Sequence, residues 1–225
     1  MATNGVHFMK FQLEEKLCIE ELDEIIFDED NIDDDKFVLN DCSKDILDAY
    51  YVSYYNCKEV IYNEQMDSIE EIVVKKNIVI PFSIDLKNNI LEIWSNSLNA
   101  KKLILKLGII LNQKVIIEPI GINLKKILNK IDKNVNIKIT NVKIENYIIE
   151  NDIVANCVFD LKNHSNPINI LKKYIENLIK LTLIITNDKE NITMIIYKNG
   201  NVVVYKTREE ISLENLEIIK NICIR

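Results

Sequence analysis

Apolar residues recur with two different periods along this chain, and the two periods predict different elements. In residues 10–26, leucines and isoleucines fall at about helical spacing among glutamates, which predicts an acidic amphipathic helix. Ser43 suits the N-cap of a second helix, because apolar residues follow it at helical spacing. The tyrosines and β-branched residues of AYYVSYYNCKEVIY would also suit strands.

From residue 73 onward, alternating apolar and polar positions predict a series of strands. The predicted strands are VVKKNIVIPFSID and ILEIWS, joined by the turn LKNN, then KVIIEPI, NVNIKITNVKI, IVANCVFDL, LTLIIT and the two halves of NITMIIYKNGNVVVYK. Asn199-Gly200 lies between the apolar runs of the last segment, which predicts a hairpin with a type I′ turn.

Four helices are predicted between these strands. They cover residues 97–112 and 123–130, a segment from Pro167 to about Ile179, and a segment that Ser212 opens. Asn166 suits the N-cap of the third helix and Pro167 its first position. The expected fold class is α+β: an antiparallel or mixed sheet of Ile-rich strands with helices packed on it, preceded by an acidic, largely helical N-terminal region.

The charge distribution divides the chain in two. Residues 1–72 carry 20 Asp and Glu against 5 Lys and Arg, whereas residues 73–225 carry 15 against 23. We therefore predict an acidic N-terminal region, 1–72, and a basic Ile-rich body, 73–225, with a boundary near 72–76. Three interpretations are open: the acidic region packs on the body, it screens a polyanion site there, or it binds a basic partner.

The densest part of the acidic region is FDEDNIDDDKF, with six carboxylates in eight positions from Asp28 to Asp35. Read as a calcium-binding loop, it has Asp33 where a sharp turn needs glycine and Leu39 where a bidentate Glu is needed. A solvated connector and a partner-binding segment remain as interpretations. The candidate partner-binding residues are Asp28, Glu29, Asp30, Asp33, Asp34 and Asp35.

Composition indicates where the protein is found and which cofactor and metal sites are not expected. No stretch approaches ~20 uncharged apolar residues, and the N-terminus lacks the apolar core of a signal peptide, so a cytoplasmic protein without membrane contact is expected. The five cysteines are scattered without a C-x-x-C pair, which favours reduced thiols over a zinc site. The four glycines are isolated and form no phosphate-binding motif, so no cofactor or metal is predicted.

Catalytic candidates are few. Asp85 and Asp160 each begin an Asp-Leu-Lys-Asn stretch that is typical of a turn, and His164 precedes a predicted helix. Carboxylates followed by a lysine would allow metal-dependent nuclease chemistry, but the Glu-x-Lys spacing usual at such sites is missing. The sequence therefore favours a protein that is not an enzyme.

Aromatic and basic residues near the last hairpin suggest an alternative, since this combination stacks bases and neutralises phosphates. The candidate nucleic-acid-binding residues are Lys172, Lys173, Lys180, Tyr197, Lys198, Tyr205, Lys206 and Arg208. The favoured function is a non-enzymatic binding or adaptor protein that contacts a protein partner through its acidic N-terminal region. Nucleic-acid binding by the basic body is the alternative, and the oligomeric state is not indicated.

Overall fold

The computed structural model describes residues 4–27, 35–131, 136–150, 153–164, 166–187 and 190–224. Within these ranges lie eleven strands and five α-helices, so the predicted α+β class is confirmed, with strands dominating. The strand pairs whose register is defined are antiparallel. None of the helices in these ranges is both long enough and apolar enough to span a bilayer.

The elements are numbered in chain order. The strands are β1 Asn4–Leu13, β2 Lys36–Cys42, β3 Ile46–Asn63, β4 Ser68–Asp85, β5 Ile90–Trp94, β6 Val115–Pro119, β7 Ile137–Glu150, β8 Ile153–Asp160, β9 Leu178–Thr186, β10 Asn191–Tyr197 and β11 Val202–Val204. The helices are α1 Ile19–Phe27, α2 Ser97–Ile110, α3 Leu124–Ile131, α4 Pro167–Lys173 and α5 Leu213–Cys223.

The chain forms two compact units. One contains the described residues of Met1–Lys10, Trp94–Ser97 and Glu118–Arg225 and is called the C-terminal unit below. The other contains those of Phe11–Ile93 and Leu98–Ile117 and is called the ribbon unit. The division into residues 1–72 and 73–225 stays a prediction, and β4 runs through residues 72–76 without interruption.

In the C-terminal unit the strands lie in the order β1, β11, β10, β9, β7, β8. One face of this sheet is buried with α3, α5 and Trp94 in a single apolar core. Alternation explains the burial: Leu181, Leu183 and Ile185 of β9 point into the core, while the residues between them lie on the opposite face. The predicted strand LTLIIT is confirmed as part of β9.

Helix caps in this unit follow the sequence. The Asn166 side chain accepts a hydrogen bond from the Asn169 N–H, and Ser212 caps α5 in the same way. The prediction that the third helix continues to Ile179 is wrong, because α4 ends at Lys173. Leu178 to Thr186 forms β9, whose β-branched side chains pack in the sheet.

The hairpin between β10 and β11 is confirmed, but its predicted type I′ turn is wrong. Gly200 has φ +92°, whereas Asn199 does not have a positive φ. The Gly200 N–H donates to the Tyr197 carbonyl (3.0 Å), and the Tyr197 N–H donates to the Asn201 carbonyl (2.9 Å). This pattern is that of a three-residue loop with a bulged glycine in the left-handed conformation.

The ribbon unit contains β2, β3, β4 and β5 side by side, with α1 and α2. The predicted largely helical N-terminal region is wrong: residues 10–13 belong to β1, and residues 46–63 form one long strand. Only Ile19–Phe27 is α-helical among the described residues before residue 73. Leu47, Ala49 and Tyr51 are buried at every second position, so strand alternation prevails over the predicted cap at Ser43.

Candidate functional site

The β3–β4 hairpin continues past its neighbouring strands as a two-stranded ribbon. β2 pairs with β3 no further than Val52, and β5 pairs with β4 only between Phe82 and Asp85. Eleven further pairs, from Ser53 opposite Ile78 to Asn63 opposite Ser68, join β3 to β4 alone among the described strands. Residues 53–78 are called the ribbon below, and their strands span about 35 Å.

Asp35 holds the base of the ribbon. Its carboxylate accepts hydrogen bonds from the Tyr51 hydroxyl (2.6 Å) and from the Tyr54 N–H (3.1 Å). Burial acts to raise the pKa of Asp35, but hydrogen bonds from Tyr51, Tyr54 and Ser53, with the charge of Lys106, together hold that pKa below its ordinary value. The carboxylate thus accepts the backbone N–H of Tyr54, which lies just beyond the last residue of β3 that pairs with β2.

The tip of the ribbon is a turn ordered by its own side chains. The Asn63 side-chain oxygen accepts from the N–H groups of Gln65 (3.0 Å) and Met66 (3.3 Å). Asp67 takes a positive φ of 47°, and the Tyr62 hydroxyl donates to its carboxylate. That hydrogen bond raises the pKa of Tyr62.

Large apolar side chains are exposed along one face of the ribbon. Tyr62 lies directly opposite Ile69, with Val60 beside Tyr62 on the same face. Val73 lies further along that face, beyond Glu71. The four side chains, called the apolar strip below, have exposed fractions of 71% for Val60, 60% for Tyr62, 76% for Ile69 and 64% for Val73. Met66 at the tip is 72% exposed. Val60, Tyr62 and Ile69 form an exposed apolar cluster of the kind that marks an interaction site.

Charged pairs also join the two strands of the ribbon. Lys58 and Glu71 lie 2.6 Å apart, and Lys76 pairs with Glu59. Lys75 stands over the Tyr54 ring at 4.9 Å from its centroid. These exposed pairs contribute little to stability.

The second feature is a row of side chains on the face of the C-terminal sheet that is turned away from its core. Lys143 of β7 lies opposite Lys180 of β9, which lies opposite Tyr197 of β10. All three are half-buried. Two lysines directly across a sheet from each other repel, so an anion between them would be stabilised.

Two of the other predicted nucleic-acid-binding residues, Lys198 and Lys206, have carboxylate partners. Lys198 donates to Glu145 (3.3 Å) and to the Glu176 carbonyl (3.2 Å), and Lys206 donates to Glu190 (2.7 Å). Lys172 and Lys173 are exposed in the last turn of α4, and Tyr205 and Arg208 are half-buried after β11.

Glu190 is the centre of a polar cluster that sequence analysis did not identify. Besides Lys206, its carboxylate accepts from the hydroxyl and N–H of Ser212 and from the side chain of the buried Asn215. The hydrogen bond from Lys206, with those from Asn215 and Ser212, lowers the pKa of Glu190 to about 2. The cluster fixes the start of α5 against β10.

The catalytic candidates are used in local turns. The Asp85 carboxylate accepts from the N–H and side chain of Asn88, and Asp160 accepts from the Lys162 N–H. His164 accepts the Asn166 N–H at Nδ1 (3.1 Å). Asp85 belongs to the ribbon unit, whereas Asp160 and His164 belong to the C-terminal unit.

Of the acidic run predicted to bind a partner, the structure describes only Asp35. Asp28, Glu29, Asp30, Asp33 and Asp34 lie outside the described residues. In the part of the chain that is described, no group of three or more His, Cys, Asp or Glu side chains is arranged to hold a metal ion.

Sequence analysis also missed the apolar strip. The available signal was two long alternating runs on either side of Glu64–Asp67, which predicts a hairpin with apolar residues on both faces.

A comparison of the chain with models of known protein families and with curated proteins finds no match.

Proposed function

We propose that this protein is a non-enzymatic binding protein that contacts a protein partner through the apolar strip of its ribbon. The observation that supports this proposal is the exposure of Val60, Tyr62, Ile69 and Val73 on one face of the ribbon. An isolated two-stranded ribbon is marginally stable in water, and a partner that buries this face would stabilise it. The ribbon thus acts as a preformed contact element on a packed base.

The chemistry of the ribbon favours a protein over a nucleic acid. Residues 53–78 contain five Asp and Glu and three Lys, so the ribbon repels a polyanion. Burying the apolar strip would contribute about 1.5–3 kcal/mol for each large side chain that becomes fully covered. A tyrosine among aliphatic side chains is also typical of the centre of a protein interface. The acidic run before β2 would favour a partner with a basic rim.

The proposal is tested by comparing partners of the wild-type chain with those of the double variant Tyr62→Thr/Ile69→Thr. A protein captured from native cells by the wild type is purified, and its Kd for both forms is measured by calorimetry. The double variant should bind at least about tenfold more weakly, because two apolar contacts are lost. A matched control is Val154→Thr/Val158→Thr, which changes two exposed valines of β8. Equal binding by all three forms contradicts the proposal.

Nucleic-acid binding by the C-terminal unit is the second candidate function, and it is supported by the row of Lys143, Lys180 and Tyr197. A sheet face with an aromatic ring beside cations can stack a base and neutralise phosphates of a single strand. Lys198 and Lys206 are less available to phosphates, because each has a carboxylate partner.

This second candidate is tested with single-stranded RNA and DNA at low salt. Lys143→Glu/Lys180→Glu should abolish binding, whereas Lys101→Glu/Lys102→Glu on the exposed face of α2 should reduce it only slightly. Affinity should fall steeply as salt rises, since phosphate contacts release counterions. Absence of binding by the wild type, or equal loss in both variants, rejects this candidate.

A further inference from the structure

The β4 half of the ribbon carries a charge pattern that is complementary to itself in the antiparallel direction. Residues 70–76 read Glu-Glu-Ile-Val-Val-Lys-Lys, with two acids before and two bases after a central Val73. When this segment is placed against a reversed copy of itself about Val73, each glutamate meets a lysine. Among the described strands, β7 is also charge-symmetric, about Ile144, but β8 and β9 already pair with its two edges.

The edge of β4 that carries this segment is open. In an antiparallel ladder, the N–H and C=O of every second residue point to the same side. The Tyr54 N–H donates to Asp35 and so points away from β4. The residue opposite Tyr54 is Asn77, so the backbone N–H and C=O of Asn77 point away from β3. The same holds for the backbone groups of the odd-numbered residues from 69 to 75. Among the described strand pairs, β4 has no other neighbour before Phe82.

We infer that this open edge of β4 pairs with the same edge of a second copy of the chain, antiparallel and centred on Val73. In that register both glutamates of each copy face both lysines of the other, and the central aliphatic residues pair with one another. The pairs are Glu70 with Lys76, Glu71 with Lys75, Ile72 with Val74, and Val73 with its own equivalent. The N–H and C=O groups of the odd-numbered residues in the two edges then face each other, as an antiparallel ladder requires.

Charges already present on the ribbon agree with this register. Glu71 is paired with Lys58 on its β3 side, and the second copy's Lys75 would lie on its other side. Glu71 then has a lysine on each side, whereas a shift of two residues places each Glu71 opposite a valine or an asparagine. The outer edge of β3 is a poorer candidate, because Asp35 occupies its Tyr54 N–H.

Self-pairing also strengthens the ribbon without using its faces. Two ribbons joined at β4 form a four-stranded sheet, which is more stable than a two-stranded ribbon alone. A two-fold axis perpendicular to this sheet places the apolar strips of both copies on one face. The inference is independent of the proposed function, because it uses the edge of the ribbon and not the apolar strip.

The decisive experiment is charge-swap complementation, followed by sedimentation over a range of protein concentrations. The wild type should dimerise, while Glu70→Lys/Glu71→Lys and Lys75→Glu/Lys76→Glu should each weaken the dimer at least about tenfold through like-charge repulsion. An equimolar mixture of the two variants should dimerise again, since each supplies the charges that the other needs. A wild type that stays monomeric, or a mixture no more dimeric than its components, overturns the inference.

Disulfide trapping tests the register even if a charge variant folds poorly. In a background with Cys18, Cys42, Cys57 and Cys157 changed to Ser, Val73→Cys should cross-link on oxidation, because facing residues of a ladder lie about 5.5 Å apart. Lys58→Cys on β3 serves as the control and should cross-link much less. Equal cross-linking at both positions contradicts the register. Tyr62→Thr/Ile69→Thr should still dimerise, which separates self-pairing from partner binding.

Discussion

Tyr62 and Ile69 lie directly opposite each other across the ribbon, and most of each side chain is exposed. A pair at this position contributes little to the folded state, since neither side chain is buried. Replacing both with threonine should therefore change the free energy of unfolding by less than about 1 kcal/mol. Urea unfolding checks this expectation. A much larger loss would mean that the apolar strip packs within the protein and is not a binding surface.

The base of the ribbon should respond differently. Asp35→Ala leaves the Tyr51 hydroxyl and the Tyr54 N–H without their acceptor, and should lower the free energy of unfolding by about 1–3 kcal/mol. Tyr51→Phe removes one of these bonds and should cost less. Hydrogen exchange at the Tyr54 amide should increase in Asp35→Ala. An unchanged exchange rate would contradict the assigned hydrogen bond.

Acid should weaken the same contact. Because the pKa of Asp35 is lowered by folding, its contribution is complete above the ordinary value near 3.8 and is lost as the pH falls through the lowered pKa. The difference in stability between the wild type and Asp35→Ala should therefore shrink below about pH 4. A difference that grows on acidification would require a raised pKa instead.

The Glu190 cluster offers a matched pair of substitutions. Glu190→Gln removes the charge that accepts bonds from Lys206, Ser212 and Asn215, and should cost about 2 kcal/mol at pH 7. Glu145→Gln breaks the more exposed pair with Lys198 and should cost less than about 0.5 kcal/mol. Since folding lowers the pKa of Glu190 from 4.5 to about 2, its contribution is lost between those pH values. Equal costs for the two variants would contradict the assignment.

Two glycines should respond to alanine with opposite signs. Gly200 has φ +92°, so Gly200→Ala strains the turn between β10 and β11 and should cost about 1 kcal/mol or more. Gly108 lies within α2, where an added Cβ meets no atom within 4 Å. Gly108→Ala should stabilise by about 0.5–1 kcal/mol. Thermal unfolding of both variants checks the signs.

Local rules predicted much of the C-terminal unit. Asn166 and Ser212 provide caps that depend only on neighbouring N–H groups, and alternation in β7 to β10 reflects a sheet with one face in the core. The turn at Asn199-Gly200 was predicted in position but not in type, since the dipeptide alone does not fix the loop length. Leu178 and Ile179 fit the apolar period of the preceding helix as well as that of a strand, and only packing in the sheet decides between them.

There is a physical reason why the sequence could not predict the ribbon as a binding site. Alternation shows that a segment is extended, but it does not show whether a core lies beneath either face. Ile69 and Val73 resemble core positions in the sequence, yet both are mostly exposed in the structure. The split in charge between residues 1–72 and 73–225 likewise crosses β4, because composition does not follow strand pairing.

The measurement that tests the central claim most directly is photo-cross-linking in native cells from a benzophenone side chain placed at position 69. The same group at Leu213, which is 82% exposed at the start of α5, is the control. Position 69 should give a discrete adduct with a protein partner, and position 213 should not. No adduct at position 69, or the same adducts at both positions, would contradict the role of the apolar strip.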